Sequence, residues 1–160
     1  MNRLIFLIAV FTIHGLSATE RPTVTARLTD TPITVDGMLD EAIWQTVQPI
    51  TEFVQRLPQD GGIPSEKSEM RILYDNNHLY FGFTFFDSEP EKVRATILNR
   101  GGWIHRDDKL EIALDTYLDR RNAYLFEMNP LGTQDDALIS DENRPSQDEW
   151  AWDGVYISEG

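Results

Sequence analysis

The sequence predicts an all-β fold, an antiparallel β-sandwich with one short helix. Across residues 107–132, apolar and polar residues alternate on both sides of a polar connection at 116–121, which is typical of a hairpin with one face in a core. Residues 78–86 are apolar on both faces, as in a central strand of a packed sandwich. Short strands separated by turns, without a βαβ rhythm, favour a sandwich over an α/β fold.

The first residues are predicted to be a targeting segment rather than part of the sandwich. Arg3 precedes an apolar run at residues 4–13, and small residues follow it, so residues 1–18 indicate a secretory signal peptide. We assign residues 19–32 to a tether and first strand, and residues 33–160 to the sandwich domain.

Each remaining element follows from its local pattern. We expect strands at residues 23–28, 33–35, 50–56, 69–74, 78–86, 93–98 and 150–157, with loops at 57–68 and 132–148. The helix is predicted at residues 40–47, with Asp40 as its N-cap and Leu39 packing on Trp44 as a hydrophobic staple. Trp44 is therefore expected in the core. The last strand starts so near Gly160 that we expect the closing strands of the sandwich to be missing, as in a fragment of a longer protein.

Composition narrows the possible partners. The formal charge is −13, and loss of residues 1–18 would remove one cation, Arg3, and give −14. A domain this acidic is not expected to bind nucleic acid through phosphate contacts. It suits a neutral ligand, a cation or an exported surface. No cysteine is present, so no disulfide scaffold is expected.

Several segments in order resemble family 9 carbohydrate-binding modules. The opening motif is ITVDGMLDEAIW at residues 33–44, and the similarity continues at residues 73–75, 79–81, 107–108, 114–115, 124–126, 129–132 and 152–153. The resemblance implies a jelly-roll-like sandwich that binds sugars, with bound calcium and with a sugar held between two tryptophans. It also implies plant-type polysaccharide or oligosaccharide ends as ligands, and association with glycoside hydrolases. The variant is most similar to modules at the N-terminus of large bacterial exported proteins, which implies the periplasm or outer membrane and a C-terminal outer-membrane barrel as partner.

Sugar binding needs a flat aromatic face and planar hydrogen-bonding groups. Trp103, in a Gly-Gly loop beside His105, is the candidate platform, and its alternative role is a lid on the core. Trp150 and Trp152 would share one face of a strand, so one of them suits the second wall, and Trp152 is our choice; the alternative is a core role for at least one of the two. The candidate hydroxyl partners, whose alternative is an ordinary solvated sheet face, are Arg100, Arg106, Glu127 and Asn129.

Oxygen ligands for calcium are abundant, although no EF-hand spacing is present. The candidate ligands are Asp107, Asp108 and Asp115, and the alternative is an acidic surface without metal.

Two other functions remain open. One is a non-binding structural cap on an outer-membrane barrel protein. The other is a haem-binding electron-transfer domain, which would need axial ligands such as Met128, His78 or His105. Glu111 and Glu127 have the residue types of an acid–base pair, but no hydrolase motif accompanies them, so no catalytic residue is predicted.

Overall fold

The computed structural model describes residues 23–143, 145–146 and 149–160. The predicted signal peptide lies outside these residues. Two three-stranded sheets form the domain, one with the order β1-β2-β3 and one with the order β4-β5-β6. The strands are β1 (Arg27–Leu28), β2 (Ser68–Tyr74), β3 (Leu79–Phe85), β4 (Leu110–Leu114), β5 (Ala123–Met128) and β6 (Gln134–Ile139).

Helical structure in the described residues is confined to single 3₁₀ turns. They are Trp44–Thr46, Pro90–Lys92, Ile104–Arg106 and Glu149–Ala151. The all-β sandwich prediction is confirmed. Within the described part of the chain, no helix has the length and apolar character needed to cross a membrane.

The first sheet is built on a tight hairpin. β2 and β3 pair antiparallel, and Asp75 closes the turn between them because its Oδ1 accepts hydrogen bonds from the backbone amides of Asn77 and His78 at 2.6 and 2.7 Å. β1 pairs with β2 in parallel, so the sheets are not purely antiparallel.

The main apolar core lies on one face of this sheet. Trp44, Val47 and Leu73 are buried together, and Leu39 packs against them. Gly82 permits this packing, because a Cβ there would lie 2.9 Å from Leu39 Cδ2 and 3.0 Å from Trp44 Cζ3. The predicted core position of Trp44 is confirmed.

The predicted helix at 40–47 is wrong in length. Only Trp44–Thr46 is helical, and no side chain caps the turn. Glu41 instead braces the segment, since its carboxylate accepts from Thr34 N at 2.7 Å and from Trp44 Nε1 at 3.0 Å. A helix of two turns has little intrinsic stability, so these tertiary contacts determine the conformation.

The second sheet contains the predicted hairpin. β4 and β5 pair antiparallel with Leu110 opposite Met128 and Glu111 opposite Glu127. β6 adds Asp135 opposite Glu127 and Asp136 opposite Phe126. The predicted acidic loop at 132–148 is therefore wrong over β6. The strand was missed because it begins with polar residues, which conceal the alternation of apolar and polar side chains.

Both faces of this sheet are covered at β5 and β6, which differs from the predicted half-open hairpin, whereas Glu111 and Ala113 of β4 are exposed. On one face, Trp152 packs on Tyr124 and Phe126 with ring centroids 5.2 and 5.7 Å apart. On the other face, which was expected to be open, Leu125, Glu127 and Ala137 are buried. We call these the Trp152 face and the Glu127 face.

Several predicted strands are absent from the described residues. Segment 50–56 makes only isolated bridges at Ile50 and Gln55, and segments 33–35, 93–98 and 150–157 form no strand. Of the predicted strand 23–28, only Arg27–Leu28 is extended in a sheet. Segment 50–56 is held by a few isolated backbone hydrogen bonds, and segments 33–35 and 93–98 by side-chain carboxylates that accept from their amides, so alternation of residue type does not identify their structure.

An open groove of about 630 Å³ lies between the sheets. Its walls are mainly apolar and include Phe53, Met70, Phe83, Leu110 and Ile112.

Candidate functional site

Three aromatic side chains lie in a row beside the second sheet. The rings of Trp103 and His105 are 5.1 Å apart, and the rings of His105 and Trp150 are 6.2 Å apart. Trp103 is 68% exposed, so it does not fold back as a lid on the core. We call Trp103, His105 and Trp150 the aromatic row.

The loop that carries Trp103 is anchored on both sides. Ile104 is fully buried and begins the 3₁₀ turn, and Gly101 N donates to Gln134 O of β6 at 3.1 Å. Gly102 allows the chain to bend closely, since a Cβ there would lie 2.7 Å from Asn99 O. The exposed indole is therefore held on a fixed backbone.

Three carboxylates lie side by side across the Glu127 face. Glu111, Glu127 and Asp135 occupy matching positions on β4, β5 and β6. Lys109 contacts Glu111 and donates to Glu127 Oε1 at 2.7 Å. Glu127 is 3% exposed, and its Oε2 has no hydrogen-bond partner among the described residues. We call Glu111, Glu127 and Asp135 the carboxylate cluster.

Burial dominates the titration of this cluster. It raises the pKa of Glu127 to about 7, with a further rise from Glu111 and a partial offset from Lys109. Burial also raises the pKa of Asp135, and the neighbouring Asp136 adds to the rise. Burial is the largest single effect on Glu111 and acts in the same sense, but the hydrogen bonds with Lys109 and Glu127 and the charges of Lys109 and His105 together outweigh it and lower the pKa of Glu111.

The aromatic row and the carboxylate cluster are linked through His105. A positive charge on His105 lowers the pKa of both Glu111 and Asp135, so its ring lies within electrostatic range of both carboxylates. Together the row and the cluster form the candidate site.

Asn129, a predicted hydroxyl partner, lies on the Glu127 face but is 1% exposed. Its amide Nδ2 donates to Ile97 O at 2.8 Å and to Asp107 Oδ2 at 3.0 Å, and its Oδ1 accepts from Leu131 N and Thr133 N. Every polar atom of the side chain is engaged within the chain, so Asn129 holds the backbone of this region together.

Arg100 and Trp152 lie on the Trp152 face of the second sheet. Arg100 donates to Asp136 Oδ1 at 2.8 Å and to Gly154 O at 2.6 Å, and its hydrogen bond with Asp136 raises its pKa. Trp152 packs on Phe126, so neither side chain is brought together with Glu127. Arg106 is exposed at the end of the 3₁₀ turn that carries His105.

Trp150, not Trp152, accompanies Trp103. The expectation that Trp150 and Trp152 share a face fails because Glu149–Ala151 is a 3₁₀ turn. With three residues per turn, side chains two positions apart diverge. The spacing of the two tryptophans in the sequence does not indicate which of them lies near Trp103.

The predicted calcium ligands do not converge on one point. Asp107 accepts from Thr96 N and Ile97 N at 2.8 Å, and Asp108 accepts from Arg94 N at 2.7 Å. Asp115 follows the opposite end of β4 and accepts from Arg120 N at 2.8 Å. In the part of the chain that the structure describes, no group of three or more acidic or histidine side chains fits a metal ion. These three residues therefore do not fit a shared calcium site.

The candidate haem ligands are also separated. Met128 lies on the Trp152 face of β5, and His78 is held by Asp75 at the β2–β3 turn with 3.2 Å between Nδ1 and Oδ2. His105 belongs to the aromatic row. The geometry does not favour these three residues as axial ligands of one haem.

Comparison with known proteins gives one family. Residues 35–155 match the family described as "Carbohydrate family 9 binding domain-like". No curated protein and no solved structure matched the chain. The matched range covers well over half of the 160 residues and contains both the aromatic row and the carboxylate cluster. The chain therefore belongs to the carbohydrate family 9 binding domain-like family.

Proposed function

We propose that the domain binds the end of an oligosaccharide or polysaccharide by stacking a sugar ring on the aromatic row. The observation that carries this proposal is the exposed indole of Trp103, which lies 5.1 Å from the ring of His105, within whose electrostatic range two acids of the carboxylate cluster lie. An indole presents a flat apolar face to the C–H surface of a sugar, and carboxylate oxygens accept hydrogen bonds from its hydroxyl groups.

The polar part of the site is suited to fixing the orientation of a sugar. Lys109 supplies a donor, and the carboxylate cluster supplies acceptors that include the unpaired Oε2 of Glu127. A few polar groups beside an aromatic surface are typical of small-molecule sites. Trp103 and Trp150, on either side of His105, provide two aromatic surfaces for the ligand.

The groove between the sheets is a less suitable sugar site despite its size. Its walls are mainly apolar, and a sugar placed there would lose hydrogen bonds to water without enough partners to replace them.

The wider setting is part of the proposal. The N-terminal pattern supports export to the periplasm or cell envelope, and the family resemblance supports plant-type polysaccharides as ligands. It also supports a link to glycoside hydrolases and to an outer-membrane barrel in a longer protein. No residue of this chain is assigned a catalytic role. Calcium binding stays a prediction, which thermal unfolding with and without a chelator would test.

Titration calorimetry with xylo- and cello-oligosaccharides tests the binding site. Trp103→Ala removes an exposed stacking surface, so we expect about a tenfold loss of affinity, equivalent to ~1.4 kcal/mol, with unfolding unchanged. Trp152→Ala is the matched control, because Trp152 packs on Phe126. We expect it to lower the free energy of unfolding by about 3 kcal/mol.

Two results would contradict the proposal. Absence of heat with every sugar would favour the non-binding structural cap. Unchanged affinity in Trp103→Ala, with binding intact in the wild type, would place the site elsewhere on the domain.

A further inference from the structure

The charges at the candidate site do not balance. The carboxylate cluster offers three acids to one nearby ammonium group, that of Lys109. Lys109 contacts Glu111 and Glu127 Oε1, and it has no direct contact with Asp135 among the ion pairs of the described residues. His105 adds positive charge only when it is protonated. The acids of the cluster therefore outnumber its cation, although the pKa of Glu127, about 7, leaves that acid partly protonated near neutral pH.

One buried oxygen in the cluster lacks a donor. Glu127 Oε2 is inaccessible to solvent and unpaired among the described residues, although Oε1 of the same carboxylate is engaged by Lys109. A buried acceptor without a partner is unfavourable, so a donor that reaches it would gain binding energy. Among the residues that the structure describes, the carboxylate of Asp135, the neighbour of Glu127 on β6, accepts only from the amide of Asp136, at 3.0 Å.

Access to this oxygen is from the edge strand. The Glu111 side chain is 51% exposed and that of Lys109 is 21% exposed, so both border solvent above the buried Glu127. β4 is the edge of its sheet, which leaves these two side chains free to reorient when a ligand enters. A ligand on the aromatic row would meet the cluster from this side.

Resting on the proposed function, we propose that this site selects sugars that carry a free ammonium group, such as glucosamine units, over neutral sugars and sugar acids. An ammonium presents three donors, and its charge-assisted bonds to carboxylates are stronger than those of a hydroxyl. The exposed indole of Trp103 adds a cation–π contact. A sugar carboxylate would meet like charge at Glu111 and Asp135.

Matched oligosaccharides test this selectivity by calorimetry at about pH 6, where the amine of the glucosamine unit is protonated. Cello-oligosaccharides and fully deacetylated chito-oligosaccharides of equal length differ only in the hydroxyl or amine at C2. We expect the amine form to bind about tenfold more tightly, and the N-acetylated form, which lacks the charge, to show no such gain. The advantage should shrink in about 0.5 M salt, because mobile ions screen the attraction.

Variants assign the selectivity to the cluster. Glu111→Gln removes one negative charge with little change in shape, and Glu127→Gln fixes that side chain in its neutral form, whereas a bound ammonium favours the ionised carboxylate. In each variant the ratio of amine to neutral affinity should therefore fall toward one. Glu111→Gln is half exposed and keeps the test valid if Glu127→Gln fails to fold. Glu91→Gln, on the exposed turn Pro90–Lys92, makes the same charge change outside the cluster and should keep the full ratio.

The outcomes separate this inference from the proposed function. Equal wild-type affinity for the two matched sugars would overturn the selectivity and leave sugar binding intact. A preference that survives in both cluster variants would also overturn it. Absence of binding to every sugar would overturn both.

Discussion

At the residue scale, two buried acids have pKa values that are shifted in opposite directions. Glu127 receives one hydrogen bond, from Lys109, and its pKa rises to about 7. Asp107 is equally shielded but accepts from Thr96, Ile97 and Asn129, and these donors hold its pKa well below the usual range in spite of burial. The number of donors that the fold provides, rather than depth, decides which acid stays ionised.

The raised pKa of Glu127 predicts a pH-dependent stability difference between the wild type and Glu127→Gln. Folding favours the protonated carboxyl, so this contribution to stability is complete below the unfolded pKa of about 4.5 and is lost as the pH rises through about 7. Glutamine imitates the protonated form at every pH. We therefore expect the variant to gain stability relative to the wild type, by up to about 3 kcal/mol, as the pH rises through that window.

Urea unfolding at several pH values measures this difference. Glu91→Gln, which changes a charge on an exposed turn, should differ from the wild type by a nearly constant amount across the same range. A Glu127→Gln difference that is constant or falls with rising pH would show that Glu127 is not titrating near neutral pH.

At the scale of elements, Asn129 joins three pieces of chain that share no ladder. Its amide links the end of β5 to Ile97 O and to Asp107, and its Oδ1 closes the turn before β6 through Leu131 N and Thr133 N. Asp107 in turn binds the amides of Thr96 and Ile97. The segment that precedes the aromatic row is therefore placed by two side chains.

Asn129→Ala is expected to lower the free energy of unfolding by about 2–3 kcal/mol, because it leaves several buried partners without hydrogen bonds. Amide exchange at Thr96 and Ile97 should accelerate, since their segment loses its attachment to β5. Asn99→Ala, at an exposed position, is the control. It should change the free energy of unfolding by no more than about 0.5 kcal/mol and leave the amide exchange of Thr96 and Ile97 unchanged. Equal effects of the two variants would contradict the role of Asn129.

The sequence predicts those elements in which alternation and burial coincide. The β4–β5 hairpin and the β2–β3 pair follow from alternating residues, and the core position of Trp44 follows from its aromatic bulk. β6 was missed because acids occupy positions that are buried here.

The site was predicted only in part, for a similar reason. Trp103 and Glu127 were predicted from residue type; the structure exposes Trp103 and buries Glu127, and their roles in binding stay predictions. The sequence did not favour Trp150 over Trp152 as the partner of Trp103, because the 3₁₀ turn that brings Trp150 close to His105 is not visible in the local pattern. The hydrogen bonds that engage Arg100 and Asn129 link residues more than 30 positions apart, which no local pattern reveals.

At the scale of the whole molecule, a strong net negative charge opposes self-association through exposed apolar surface. The chain has a formal charge of −13 and an isoelectric point near 4.5. Large apolar side chains nevertheless lie exposed, among them Val54 and Phe85, which line the groove, and Leu57 and Ile63 in the neighbouring loop. Charge repulsion keeps such surfaces apart in solution.

We expect reversible self-association as the pH approaches 4.5, where the net charge vanishes. Light scattering should show a rise in mean mass, and addition of salt at neutral pH should produce a weaker rise by screening the repulsion. Phe85→Ser should reduce the association because it removes apolar surface at the groove, whereas Thr84→Ser on the opposite face of β3 is the matched control. A mean mass that stays constant across this pH range would show that charge repulsion is not what keeps the apolar surfaces apart.

The unequal burial of the tryptophans has a spectroscopic consequence. Trp44 is 2% exposed and Trp103 is 68% exposed, so their indoles emit from apolar and aqueous surroundings respectively. A cationic quencher such as caesium, concentrated near this acidic surface, would extinguish the long-wavelength emission of Trp103 and spare that of Trp44. The native chain thus contains its own optical probe of the aromatic row, and an arriving ligand can be followed without a label.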